Sequence, residues 1–171
     1  LNKLDERVIL PYFCTLNFLM PSTKQLFTVN YAITDYGEAT NIIIENASRR
    51  SSFGVSALAV HGLMETVKDP GFQQMVQKID LVVPDGQPIR WALNSFYSTR
   101  LKDRVAGPIL TRHVLDKANE KNLSVYLYGS TATTLEKFQS FIRSNYPSIK
   151  LAGVHPDRFR EATLEEDEHD I

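Results

Sequence analysis

The sequence predicts an α/β sandwich, a mainly parallel β-sheet with helices on both faces. Three observations carry this. Short apolar runs alternate with amphipathic helical stretches along the chain. Several runs, "VSALAV" and "DLVVP" among them, are apolar at consecutive positions, as strands covered on both faces require. The 171 residues, 43% of them apolar, suffice for one sizeable core.

In chain order, residues 1–25 read as an irregular N-terminal extension punctuated by Pro11 and Pro21. "LFTVNYAI", Leu26 to Ile33, reads as the first strand. Asp35 and Glu38, three apart, fit a capping box. The helix it opens carries Ala39, Ile42, Ile43 and Ala47 at helical spacing and ends at "RRSSFG". Val55 to Val60 is the second strand. A helix from Leu63 is interrupted by "KDPG" and resumes to Lys78. "DLVVP" is the third strand, followed by a mostly helical stretch from Pro88 to Phe96. Gly107 and Pro108 open another helix, whose buried side holds Leu110, Val114, Leu115 and Ala118. "LSVYLYG" is the fourth strand. Thr133 and Glu136 suggest a second capping box, and Pro147 stops that helix. Ile149 to Val154 is the fifth strand. The organisation expected is thus an extension over 1–25, a domain over 26–160 and an acidic segment over 161–171.

Composition narrows the function. The single Cys14 excludes an internal disulfide framework and a cysteine-based zinc site, and makes a reducing compartment the default. The net charge of -1 argues against a nucleic-acid partner. Six acids crowd the stretch after Arg160, so residues 1–160 carry a net +5, which suits an anionic ligand or a membrane surface, or is scattered solvated charge. No apolar run reaches the roughly 18 residues of a membrane-spanning helix. "VILPYFCTLNFLM" lacks a basic leader and a clear cleavage site, so it reads as a peripheral strand or interface segment rather than a signal peptide.

Parallel sheets bind ligands beyond the carboxyl ends of their strands. Four segments are expected there: Ala59–Gly62, Val83–Gly86, Tyr128–Thr131 and Gly153–Phe159. In "YGST", glycine before a helix start either exposes free amides to phosphate or simply makes a turn. His61 and His155 end strands, as ligand-lining groups or as histidines satisfying local backbone. Asp85, in "VVPDGQPIRW", is a turn residue or a carboxylate held on a stiff strand. Arg100, Lys102, Arg104 and Arg112 form a basic patch; a guanidinium at Arg104 can grip a diphosphate, or the patch is solvated. No GxGxxG and no Walker-type lysine motif occur, which argues against a nicotinamide oxidoreductase or an ATP site. No tight metal-ligand spacing is present, and neither metal nor cofactor is expected.

Taken together, "DLVVPDGQPIRWA", "LKDRVAGPILTRHVLDKANEKNLSVYLYGS" and "LEKFQSFIRSNYPSIKLAGVHPDRFR" resemble the WecG/TagA/CpsF family of bacterial glycosyltransferases. The likeness rests on Pro-Asp-Gly at 84–86, Arg-Val-x-Gly at 104–107, Gly129 after its strand and Tyr146-Pro147 before the last one. It implies a Rossmann-like fold and inverting transfer of a sugar from a UDP-sugar donor to a polyprenyl-diphosphate-linked acceptor. Such products feed bacterial cell-surface polysaccharides. It also implies a peripheral location at the cytoplasmic face of the membrane.

The resemblance puts the proposed catalytic base on Asp85 and the family's arginine on Arg104. Residues expected to line the substrates are His61, Gly62, Gly86, Gln87, Pro88, Gly107, Gly129, Ser130 and His155. One acid suffices for a single inverting displacement, whereas glycosidases use two. Ala57 and Ala59 stand where the better-known branch carries Thr and Asn, so the likeness is rather to an exopolysaccharide-type branch. Members continue into a further strand and a Gly-x-Pro-x-Gln-Glu segment, so a truncated C-terminal part is expected to start within 161–171. The alternative expectation is a catalytically incomplete sugar-nucleotide-binding or oligomerisation module, with exposed apolar surface driving homo-oligomerisation.

Overall fold

The computed structural model describes residues 20–160 together with Thr163 and Glu166. Expectations for residues 1–19 and for the rest of 161–171 lie outside the described residues.

The first predicted strand is instead a hairpin. β1 (Thr23–Leu26) and β2 (Val29–Ala32) pair antiparallel, Thr23 opposite Ala32 and Leu26 opposite Val29. The two-residue turn between them carries no glycine. Phe27 adopts a left-handed φ of 50°, and Gln25 Nε2 donates to its carbonyl at 2.7 Å. Hairpin turns normally announce themselves by Asn-Gly or Asp-Gly, and this one does not.

α1 (Tyr36–Ser48) starts where the capping box predicts: the Asp35 side chain accepts from the Glu38 amide at 2.9 Å. Its buried residues are Ala39, Thr40, Ile42 and Ile44, while Ala47 is exposed. β3 (Val55–Leu58) is followed at once by α2 (Val60–Lys68) and α3 (Pro70–Gln77). The "KDPG" interruption is their junction: Asp69 Oδ1 accepts from the Gly71 and Phe72 amides, and Pro70 needs no donor there. β4 (Leu81–Pro84) runs parallel to β3, with Leu58 opposite Pro84. α4 (Gln87–Tyr97) and α5 (Gly107–Glu120) lead to β5 (Ser124–Tyr128). α6 (Ala132–Asn145) then crosses to β6 (Lys150–His155), parallel to β5. The cap of α6 is Thr131, which accepts from the Thr134 amide at 3.3 Å, rather than the expected Thr133.

The α/β class and the parallel pairing agree with the sequence reading, but the hydrogen-bonded ladders are three pairs: β1–β2, β3–β4 and β5–β6. β2 packs beside β4. All four residues of β4 are buried, and its alternate side chains enter two different cores. Val82 joins Leu58, Leu63, Val76, Ile89 and Leu93, under α2, α3 and α4. Leu81 and Val83 join Ala39, Ile42, Val105 and Leu110, under α1 and α5. Helices therefore cover both faces of this strand. A third core packs Leu127 of β5 against Leu115, Leu135 and Ile142, with Ile44 reaching in from α1.

Past β6, Glu166 is clasped by Arg160 at 2.6 and 2.8 Å and accepts from the Thr163 amide at 2.9 Å. These bonds hold its carboxyl down at about 2.

One buried group breaks the pattern of satisfaction. Tyr31 is fully buried in the first core, and among the described residues its hydroxyl has no hydrogen-bond partner. Burial pushes its hydroxyl well above the ordinary value of 10.0. A stranded buried hydroxyl costs about 1–3 kcal/mol. Tyr31→Phe should therefore raise the stability read from urea unfolding by about 1 kcal/mol at an unchanged slope. The folded state holds this proton more tightly than the unfolded chain. The native protein should accordingly lose stability as pH rises above 10.0, and the variant should lose less.

Candidate functional site

The β3–β4 register brings both carboxyl ends to one edge, and three helices begin there. α2 follows cap residue Ala59, α4 follows Gly86 and α5 follows Ala106; none of these caps supplies a side-chain hydrogen bond. Pro88 and Pro108 lie in the first turns of α4 and α5, where proline is pre-set for a helix and gives up only an orphan amide. A Cβ on Gly86 would lie 3.9 Å from Cβ of Ala59, and one on Gly107 would lie 3.4 Å from Cβ of Ala57. Both helices thus start directly over the end of β3. Uncapped first-turn amides and three aligned dipoles make this edge electropositive and open to an anion.

Asp85 is half-buried among these helix starts. Its Oδ2 accepts from the Gly107 amide at 3.3 Å, and the Val105 amide donates to the Pro84 carbonyl at 2.8 Å. The chain leaves β4 at Gly86 with φ of 86°, a conformation that costs an L-residue about 1–2 kcal/mol. That turn lets α4 begin immediately and leaves the carboxylate at the strand's mouth.

Gln87, Pro88 and Gly107 accordingly sit together with Asp85 and Gly86. The Gln87 side chain is engaged by the protein: its Nε2 donates to Asp103 Oδ1 at 3.2 Å, and its Oε1 accepts from Arg90 at 2.6 Å. Asp103 Oδ1 also accepts from the Arg104 amide at 2.7 Å. Arg104 follows this network and is half-buried. Its side chain lines a cavity of about 320 Å³ with Asp35, Glu38, Arg100 and Lys102; Asp85 is not in that lining. Among the described residues no ion pair joins Asp85 to Arg104. Arg112, grouped with this patch in the sequence, lies on α5 within electrostatic reach of Tyr146 and outside the cavity.

The remaining expected residues fall into two further places. β3 ends at Leu58, so His61 and Gly62 belong to the first turn of α2 rather than to a strand end. Both line a groove with Glu65, Asp69, Phe72 and Met75. Gly62 is fixed by packing: an added Cβ would lie 2.5 Å from Cδ1 of the buried Leu58. Gly129, Ser130 and His155 meet at the ends of β5 and β6. The Gly129 amide donates to the His155 carbonyl at 3.0 Å, and the His155 ring stacks on Tyr128 at 5.6 Å. Gly129 has φ of 101° and open space where a Cβ would stand, so a ligand can approach its backbone.

Among the described residues no group of three or more His, Cys, Asp or Glu is arranged to hold a metal ion. A cavity of about 420 Å³ lies at the opposite end of β4, lined by Ile79, Asp80 and Leu81. Asp80, its carboxylate, already accepts from the Gly54 amide at 2.7 Å, and the apolar remainder offers no chemistry. Residue types and spacing gave no sign of Arg90, Asn94 or Asp103, because each acts through a loop bond formed only on folding.

The model of the glycosyl transferase WecG/TagA/CpsF family matches residues 24–171. The chain is 29% identical over 98 residues to an N-acetylglucosaminyldiphosphoundecaprenol N-acetyl-beta-D-mannosaminyltransferase of Bacillus subtilis (strain 168), covering 57% of this chain and 38% of the relative. A relative of the same name from Bacillus spizizenii is 26% identical over 89 residues, covering 52% and 34%. The matched stretch therefore spans well under half the length of these curated relatives.

Gly62 separates packing from ligand contact. Alanine in a helix interior gains about 1 kcal/mol over glycine. Overpacking a closed core costs about 1–3 kcal/mol. The buried Leu58 should decide the sign, so Gly62→Ala should lower stability by about 1 kcal/mol in denaturant unfolding. A variant as stable as the parent, or more so, would free Gly62 from this packing role.

Proposed function

The chain belongs to the glycosyl transferase WecG/TagA/CpsF family, and from that premise we propose that it transfers a sugar from a UDP-sugar donor to a polyprenyl-diphosphate-linked sugar, inverting the anomeric carbon. The observation that carries this reading is one half-buried carboxylate, Asp85, standing among three helix N-termini without side-chain caps. In this mechanism Asp85 accepts the proton of the acceptor hydroxyl as its oxygen attacks the donor's anomeric carbon. The bond from that carbon to the diphosphate breaks on the opposite side, and UDP leaves with the electron pair. The first-turn amides of α2, α4 and α5, with the guanidinium of Arg104, stabilise the charge it gains. The Gly107 amide holds Asp85 in place without neutralising it.

The names of the relatives support an N-acetylglucosaminyl diphosphoundecaprenol as the acceptor class. Such an acceptor is anchored in a bilayer, so the enzyme works as a peripheral protein at the cytoplasmic membrane face. No helix of the described residues is long and apolar enough to cross a membrane. Ala57 and Ala59 give the crevice a small, apolar floor, which favours a donor not recognised by hydrogen bonds at those two positions.

Asn at position 85 can still accept from the Gly107 amide but cannot take a proton. Asp85→Asn should therefore bind UDP as the parent does and lose about 10²-fold or more in transfer to a lipid-diphosphate acceptor. Arg104→Ala should weaken UDP binding. Full transfer by the Asn variant would exclude Asp85 as the base. UDP binding without transfer by the parent chain would select a binding module instead.

A further inference from the structure

The 320 Å³ cavity beside α1 is separate from Asp85 and carries its own charge pattern. One wall is basic, from Arg100, Lys102 and Arg104; the other is acidic, from Asp35 and Glu38 at the start of α1. Among the described residues none of the three cations is ion-paired. Asp103 and Asp35 already accept bonds from local amides, whereas nothing neutralises the basic wall.

That wall is held at a cost. Arg100 has a left-handed φ of 58°, as does Ser98 two residues earlier at 53°. Asn94 fixes the loop around them: its Oδ1 accepts from Thr99 and from the Leu101 amide, both at 2.7 Å, and its Nδ2 donates to the Leu101 carbonyl at 3.0 Å. Arg90 Nε donates to that same carbonyl at 3.0 Å. A loop that only had to turn would carry glycine or asparagine at position 100. Strain over-determined in this way is found where a side chain must be aimed. Tyr36 clamps the other side, its hydroxyl accepting from the Ala106 amide at 2.9 Å, so the two walls keep their spacing.

We propose that this cavity binds a glycosyl diphosphate: Arg100, Lys102 and Arg104 take the phosphoryl oxygens, and the acidic wall accepts hydrogen bonds from sugar hydroxyls. Guanidinium groups grip such oxygens with paired bonds, and 320 Å³ falls in the range of small-molecule sites. The sugar half rests on the transferase reading above; the phosphate half does not. Both substrates of that reaction contain the group, so the source is left to the experiment.

Inorganic pyrophosphate, UDP and N-acetylglucosamine linked through diphosphate to a short soluble prenyl chain are titrated calorimetrically into the parent chain, Arg100→Gly and Arg100→Gly/Lys102→Ala. Glycine relaxes the strained φ, so Arg100→Gly should unfold at no lower temperature than the parent. Pyrophosphate should bind the parent, and about tenfold more weakly for each cation removed. A matching loss for the prenyl-linked sugar alone assigns the cavity to the acceptor; a loss for UDP assigns it to the donor. Pyrophosphate that fails to bind the parent, or binds the folded variants equally well, overturns the proposal. Asp85→Asn keeps the two readings apart, since it should lose transfer with pyrophosphate binding intact. Loss of pyrophosphate binding in the variants of a parent that transfers no sugar would uphold the cavity and sink the enzyme.

Discussion

The parallel register that sets Leu58 opposite Pro84 is the constraint on which the molecule depends. β4 is enclosed on both faces, and burying each of Leu81, Val82 and Val83 contributes about 2 kcal/mol. A slip by one residue would exchange the Val82 side for the Leu81 and Val83 side and empty both cores. With the register fixed, β3 and β4 must end together. The chain then has to turn into helices at that edge, and Ala59 and Gly86 leave no cap residue with a side chain able to close their first turns. The electropositive crevice is a by-product of how the core is buried.

Charge refines what the backbone sets up. A lone Asp85 amid helix N-termini would ordinarily be read as a local neutralising group, and its bond to Gly107 has that character. Its half-burial and its seat between Pro84 and Gly86 also leave a carboxylate beside space for a substrate. Gln87 and Asp103 connect this site to the loop that carries Arg100, Lys102 and Arg104. The acid and the cations are therefore coupled through backbone geometry rather than through an ion pair, and each can meet a different part of one ligand.

Much of this was legible in the residues. Consecutive apolar positions in "LVVP" announced the doubly covered strand, Asp35 with Glu38 announced the start of α1, and Gly107-Pro108 that of α5. The misreadings share a cause. The hairpin turn at Phe27, the Thr131 cap and the Asn94 clamp each depend on conformations with no compositional signature. Gly62 reads alike as a ligand-facing glycine or as one squeezed by a neighbour, until Leu58 is found against it. Arg112 fell into the basic patch by proximity in sequence, but helix α5 carries it away toward Tyr146. The expectation at Asp85 named the right neighbour, Gly107, within its motif, but not the amide bond that joins them.

The central claim is that the uncapped helix starts at the ends of β3 and β4 receive a nucleotide diphosphate. The most direct measurement is amide chemical-shift mapping of the ¹⁵N-labelled chain as UDP is added. The account predicts that the largest shifts fall on first-turn amides: His61 and Gly62 of α2, Gln87 and Ile89 of α4, and Gly107 and Ile109 of α5. Saturable shifts confined to the other end of the strands, around Val55 and Leu81, with those six amides unmoved, would contradict it.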